Sequence, residues 1–173
     1  MQFHSGFSLK EEAHLFDEYI LQSDFTLCGF SYGAIGALQA CIESLKSFKR
    51  IDTLQLFSPA FFQTKEEKFK RLQLRAYAAD TEHYMRTFLR SAFAPYDAKV
   101  LHHKESSFSE LEELLGYVWL EDELAFIVSK GVKIEVYLGG KDAIIDVEGA
   151  REFFLHYATL TYIKNANHFL QLT

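Results

Sequence analysis

Phe25-Thr26-Leu27-Cys28-Gly29-Phe30-Ser31-Tyr32-Gly33-Ala34-Ile35-Gly36-Ala37-Leu38 joins an apolar, strand-like run to a helix-like run through a glycine-flanked serine. The centre, Gly29-Phe30-Ser31-Tyr32-Gly33, reads G-x-S-x-G. A serine on a tight strand-to-helix turn has its hydroxyl lifted out at the top of a sheet, where it can act as a nucleophile. Such a turn leaves little room for side chains on either flank, which is what the two glycines supply. The backbone N–H of Tyr32, at the start of the helix, then faces the place where negative charge would develop on a reacting oxygen. The bare motif also occurs in ordinary turns. The strand before it and the helix after it favour the nucleophile.

A nucleophilic serine of this kind needs an acid and a histidine downstream, in that order. Lys133-Ile134-Glu135-Val136-Tyr137-Leu138 reads as a strand and runs into Gly139-Gly140-Lys141-Asp142. Leu160-Thr161-Tyr162-Ile163 reads as the final strand and precedes the polar turn Asn165-Ala166-Asn167-His168. Ser31, Asp142 and His168 thus follow the required order. Each lies just past a strand's C-terminal end, where open parallel sheets build their sites. Asp142 is also placed to cap the helix that begins near Asp146, and Asp146 is the alternative acid. Among seven histidines, only His168 follows the acid on a loop; His156 falls in a helical pattern.

The chain has 173 residues, about half of them apolar and about a quarter charged, which suits a single globular unit. No apolar run is long enough for a membrane helix, and the N-terminus lacks the pattern of a secretory leader. Cys28 and Cys41 fall in a strand and a helix of the expected core, so reduced thiols and a cytoplasmic setting are expected. No Cys/His spacing suggests a metal and no phosphate-binding loop is present, so no cofactor is expected. A net charge of −6 argues against a nucleic-acid partner, and no membrane partner is expected.

Apolar runs alternate with helical patterns, which predicts an α/β unit with a mostly parallel sheet. Five strands are expected near 1–4, 24–30, 51–57, 132–138 and 159–163, with helices near 9–22, 32–47 and 147–157. Between 60 and 129 the alternation stops and the pattern turns helical. Leu111, Leu114, Leu115, Val118 and Trp119 recur at helical spacing and predict one buried face. The expected organisation is a core of residues 1–59 and 130–173 with a helical lid, 60–129, inserted in it. Residues 61–104 carry nine lysines and arginines against five acids, whereas 105–125 carry seven acids and no base. Lys68, Arg71 and Arg75 share one helix face, and Arg86 and Arg90 are one turn apart. They form either a solvated face or a docking patch for an acidic partner.

With these residues in view, the chain resembles the α/β-hydrolases. More narrowly, it is similar to the pimeloyl-acyl-carrier-protein methyl ester esterases of biotin synthesis, the BioV/BioH type. His4-Ser5-Gly6-Phe7-Ser8-Leu9 resembles that family's oxyanion loop, and Gly29–Gly33 its elbow. Phe57-Ser58-Pro59-Ala60-Phe61 resembles the junction into the lid, and Gly139–Asp142 with Asn167-His168 the acid and histidine loops. The resemblance implies a minimal α/β-hydrolase fold and a Ser31–His168–Asp142 triad, with an oxyanion hole from the N–H groups of Phe7 and Tyr32. It also implies an acyl carrier protein as partner, held by Lys68, Arg71, Arg75, Arg86 and Arg90. Phe61, Phe62, Phe69, Tyr77, Tyr84, Phe88 and Phe93 would either line an acyl channel or pack the lid. The chain departs from the family in having a smaller sheet and a single expected helix, 9–22, between the oxyanion loop and the elbow strand. A general short-chain esterase or thioesterase with the same triad, or a non-catalytic binding protein of this fold, are the competing functions.

Overall fold

The computed structural model describes all 173 residues. Five strands form one sheet: β1 (Gln2–His4), β3 (Thr26–Phe30), β4 (Thr53–Phe57), β6 (Lys133–Gly139) and β7 (Thr159–Ile163), in the order β1-β3-β4-β6-β7. Every neighbouring pair is parallel. The central strands β3 and β4 are buried along their whole length, as a parallel sheet covered on both faces requires. Two further strands absent from the sequence reading, β2 (Leu9–Lys10) and β5 (His102–His103), pair antiparallel as a small separate ribbon.

Alternation along the strands sorts the core. Leu27, Leu54, Leu56, Ile134, Val136 and Leu138 face one side. They pack against α1 (Tyr32–Lys46), α5 (Glu121–Ser129) and α6 (Val147–Phe154). Cys28, Phe30 and Phe57 face the other side, where Phe16, Ile20, Phe93, Phe169 and Leu170 cover them. That second layer consists of irregular chain and the end of one helix.

The helix expected over 9–22 is not formed. Leu9 and Lys10 are drawn into the β2–β5 ribbon, Ser8 and Glu11 take left-handed φ values of 60° and 62°, and only a short 3-10 helix, Glu12–Phe16, follows. Beyond it the chain crosses the sheet and bonds to Gln55 of β4. The Gln55 Nε2–H donates to the Tyr19 carbonyl (2.9 Å), and the Leu21 N–H donates to Gln55 Oε1 (2.9 Å). Burying Phe16 and Ile20 on the sheet outweighs a local helical preference worth only tenths of a kcal/mol per residue. The helix expected over 147–157 is shorter, ending at Phe154.

The segment expected as one inserted unit, 60–129, divides. The helix α2 (Glu67–Ala79) packs on both α3 (Thr81–Phe93) and α4 (Phe108–Gly116), but α5 packs on α1 and β6 and so belongs to the sheet layer. Of the predicted buried face, Leu111, Leu114, Leu115 and Trp119 are buried, and Val118 is 52% exposed. The physical reason is that α4 ends at Gly116, so helical spacing no longer sets where Val118 points. Trp119 is held instead by its indole N–H, which donates to the Ala60 carbonyl at 2.8 Å.

Candidate active site

Ser31 occupies the turn between β3 and α1 with φ 53° and ψ −115°. A serine in that region costs about 1–3 kcal/mol and persists only where its surroundings fix it. Three backbone hydrogen bonds do so. Ser31 N–H donates to the Phe57 carbonyl (2.9 Å), while its own carbonyl accepts from Ala34 (3.1 Å) and Ala60 (3.2 Å). At about 1 kcal/mol each, they offset the strain. The flanking glycines are required sterically. A Cβ on Gly29 would run into the backbone of Gly33 and Ala34, and one on Gly33 into the carbonyls of His4 and Ser5. The second clash shows that the loop after β1 lies directly against the elbow.

Ser31, His168 and Asp142 form one hydrogen-bonded chain. The Asp142 carboxylate can only accept, so the His168 Nδ1–H donates to its Oδ2, at 2.6 Å. Nε2 is then left to accept from the Ser31 hydroxyl, at 3.0 Å. Ser31 is 4% exposed and His168 1%. The other Asp142 oxygen, Oδ1, accepts from the N–H groups of Ile144 (2.8 Å) and Ile145 (3.3 Å), which fixes the carboxylate plane. The acid and histidine loops are joined by backbone, Lys141 N–H donating to the Ala166 carbonyl at 2.8 Å.

Asp146, the alternative acid, lies outside this chain. It caps α6, with Oδ1 accepting from Gly149 N–H at 3.2 Å, and its Oδ2 accepts from the Thr64 hydroxyl. Burial opposes its ionisation, but the Thr64 and Gly149 bonds and the nearby Lys65 outweigh it and hold the carboxyl below its ordinary range.

In the sequence Asn167 stands out only as the polar neighbour of His168. Its side chain is buried and fully used. Nδ2 donates to the Phe93 carbonyl (2.7 Å) and to Gln171 Oε1 (2.9 Å), and Oδ1 accepts from the N–H groups of Phe169 and Gln171 (3.0 Å each). The Tyr96 hydroxyl adds a bond to the Asn165 carbonyl (2.6 Å), and Phe93 stacks on Phe169 with centroids 4.3 Å apart. The end of α3 therefore braces the histidine loop. An N-A-N-H turn signals a polar loop but gives no sign of which distant carbonyl it meets.

Phe7 is buried, and its ring packs edge-on against Tyr32 at 6.3 Å. Its N–H has no acceptor within the protein. Tyr32 is the first residue of α1, so its N–H has no partner inside the helix. The Tyr32 hydroxyl donates to Glu113 Oε2 of α4 at 2.8 Å, tying the elbow to the inserted helices.

A cavity of about 380 Å³ opens between α2, α3, α4 and the acid loop, where Ala143 and Ile144 complete its wall. Phe62, Phe69, Tyr84 and Phe88 line it, with Leu111, Leu114 and Leu115. Phe61, Tyr77 and Phe93 do not: Phe61 packs on Phe153 and Phe154, Tyr77 on Phe7 and Phe108, and Phe93 on Phe169. Lys68, Arg71, Arg75, Arg86 and Arg90 are all exposed. Arg86 and Arg90 border one groove of about 370 Å³ with Lys99 and His103, away from the α2 residues. Arg86 is paired with Glu82 at 3.0 Å. No three His, Cys, Asp or Glu side chains are grouped to hold a metal, and no helix is long and apolar enough to cross a membrane.

No family model matches the sequence, and no curated protein matches it. Solved structures do match. An esterase from Exiguobacterium antarcticum superposes with a TM-score of 0.62 at 18% identity, over 83% of this chain and 59% of its own. BioG from Haemophilus influenzae gives 0.59 at 12% identity, over 98% and 88%. Naproxen esterase (carboxylesterase NP) from Bacillus subtilis gives 0.55 at 21%, over 85% and 54%. The chain thus spans little more than half the length of the two esterases and most of that of BioG. With its parallel five-stranded sheet and the Ser31 elbow, this is a minimal α/β-hydrolase fold.

Proposed function

We propose that the protein is a serine carboxylesterase that cleaves the methyl ester of a pimeloyl group carried on acyl carrier protein. The observation that carries the esterase reading is the unbroken Ser31–His168–Asp142 chain at the C-terminal ends of three strands. The solved esterases of the same fold support it. Cys28 and Cys41, the other nucleophilic candidates, are buried, and burial pushes both thiols up to about 12, which leaves them unreactive. Free thiols also favour a cytoplasmic setting.

The mechanism follows from the hydrogen-bond directions. Ser31 Oγ attacks the ester carbonyl carbon as its proton passes to His168 Nε2. Asp142 keeps the Nδ1–H tautomer in place and stabilises the imidazolium that forms. The unpaired N–H groups of Phe7 and Tyr32 receive the oxyanion; one such donor is worth about 10²–10³ in rate. Collapse breaks the carbonyl–methoxy bond, His168 returns the proton to the leaving oxygen, and methanol departs. Water repeats the sequence on the acyl-Ser31 and frees the carboxylate.

The substrate assignment rests on the family resemblance together with two features of the inserted helices, which act in this reading as a lid. The cavity beside Asp142 is apolar and of a size suited to a medium acyl chain. The exposed cations of α2 and α3 suit the acidic face of a carrier. Mass analysis of pimeloyl-carrier methyl ester before and after incubation tests the assignment. Conversion of the methyl ester to the acid with the thioester intact supports it, and release of free pimelate points to a thioesterase instead.

A further inference from the structure

The esterase reading leaves one buried group without a role. Glu12 is 1% exposed, in the 3-10 helix after the β1 loop. Its Oε1 accepts from the Gly6 N–H at 2.6 Å, while its Oε2 is buried with no partner. A half-satisfied buried carboxyl costs stability, so its presence calls for a reason.

Gly6 precedes Phe7, whose N–H is the oxyanion donor furthest from any regular element. Across a trans peptide, C=O and N–H point in opposite directions. The Gly6 carbonyl accepts from Leu9 N–H at 3.1 Å, so the Phe7 N–H in the same peptide is turned the other way. The preceding peptide is fixed by Glu12. With its Gly6 N–H held on Oε1, its Ser5 carbonyl is turned toward Gly33 of the elbow. Beyond Ser8, at φ 60°, the loop is held by Ser8 Oγ–H donating to the Lys104 carbonyl (2.9 Å) and by the β2–β5 ribbon. Glu12 is thus the one side chain that fixes the peptide plane on the elbow side of Phe7.

Resting on the esterase reading, we propose that Glu12 is a positioning residue. It touches no reacting atom, but it sets the direction of the Phe7 N–H and so the strength of the oxyanion hole. The function needs an acceptor at the Oε1 position and no charge.

The test compares Glu12→Gln, which keeps the acceptor, with Glu12→Met, which has similar length and none. Turnover of a small ester is measured per Ser31 titrated to completion with a fluorophosphonate, so misfolded chains do not count. Glu12→Gln is expected to keep kcat within about threefold. Glu12→Met is expected to lose about 10²-fold in kcat with KM within about twofold, the effect of a misaimed donor. Should Glu12→Met fail to fold, Glu12→Asp, whose acceptor stops one methylene short, decides with the same kcat-only loss. Unchanged kcat per titrated serine in the Met or Asp variant overturns the inference, as does an equal loss in Glu12→Gln. An unaltered chain that takes no label and cleaves no ester overturns the esterase reading itself.

Discussion

Two aspartates four residues apart compete for the acid's role, and their surroundings separate them. Asp142 divides its oxygens between His168 and two backbone N–H groups, and Asp146 divides its own between a helix cap and Thr64. Asp142→Asn puts an amide where the acceptor of Nδ1–H was and favours the wrong tautomer. It is expected to lower kcat by about 10³–10⁴-fold, with little change in melting temperature. Asp146→Ala is expected to leave kcat within about twofold and to lower stability by about 1–2 kcal/mol, the cost of a lost cap. Asp146 has a depressed value in the folded chain against about 3.9 unfolded. Its contribution is therefore present above about pH 4 and fades as pH falls through the lowered value. The melting-temperature gap between the unaltered chain and Asp146→Ala should be wide at neutral pH and narrow in acid. A constant gap would contradict this. That Ser31, Asp142 and His168 lie together was legible from their order and strand-end positions. Glu12 and Asn167 were not, because their roles depend on backbone partners that no local pattern announces.

At the scale of elements, the histidine loop depends on α3. The Asn167 side chain makes four hydrogen bonds, one to the Phe93 carbonyl at the end of α3 and three within the loop, and its truncation leaves that buried carbonyl and two N–H groups unpaired. Each such loss costs about 1–3 kcal/mol. Asn167→Ala should lower stability by about 3–5 kcal/mol in urea titration, and a midpoint unchanged from the unaltered chain would show that α3 does not brace the loop. The strands and α1 could be read from apolar runs and spacing, since burial and periodicity coincide in them. Residues 9–22 carried a helical pattern whose apolar residues are buried on the sheet by an irregular path. Gln55, far away in sequence, supplies the backbone partners that a helix would have supplied locally.

The whole molecule is a small parallel sheet with an uneven charge distribution. Its second face is covered by irregular chain and the end of α3, and its outer strand β7 is largely exposed. The basic segment 61–104 folds into α2 and α3, beside the cavity. Attraction between exposed charges is screened within about 8 Å at physiological ionic strength. If α2 and α3 hold an acidic carrier, kcat/KM for a carrier-bound ester should fall steeply between low and high salt, while that for a small ester stays flat. Equal salt response of the two substrates would remove the carrier from the account. The charge asymmetry was visible in the sequence. The division of the basic residues, with Arg86 and Arg90 on one groove and the α2 residues elsewhere, was not, because it depends on how the helices pack.

The most direct test is covalent labelling of the elbow serine. Incubation with a fluorophosphonate, followed by peptide mass mapping, should give one adduct per chain on the peptide carrying Ser31, with loss of esterase activity in step. Ser31→Ala should show neither adduct nor activity. An adduct on another residue, or activity retained in Ser31→Ala, would contradict the account.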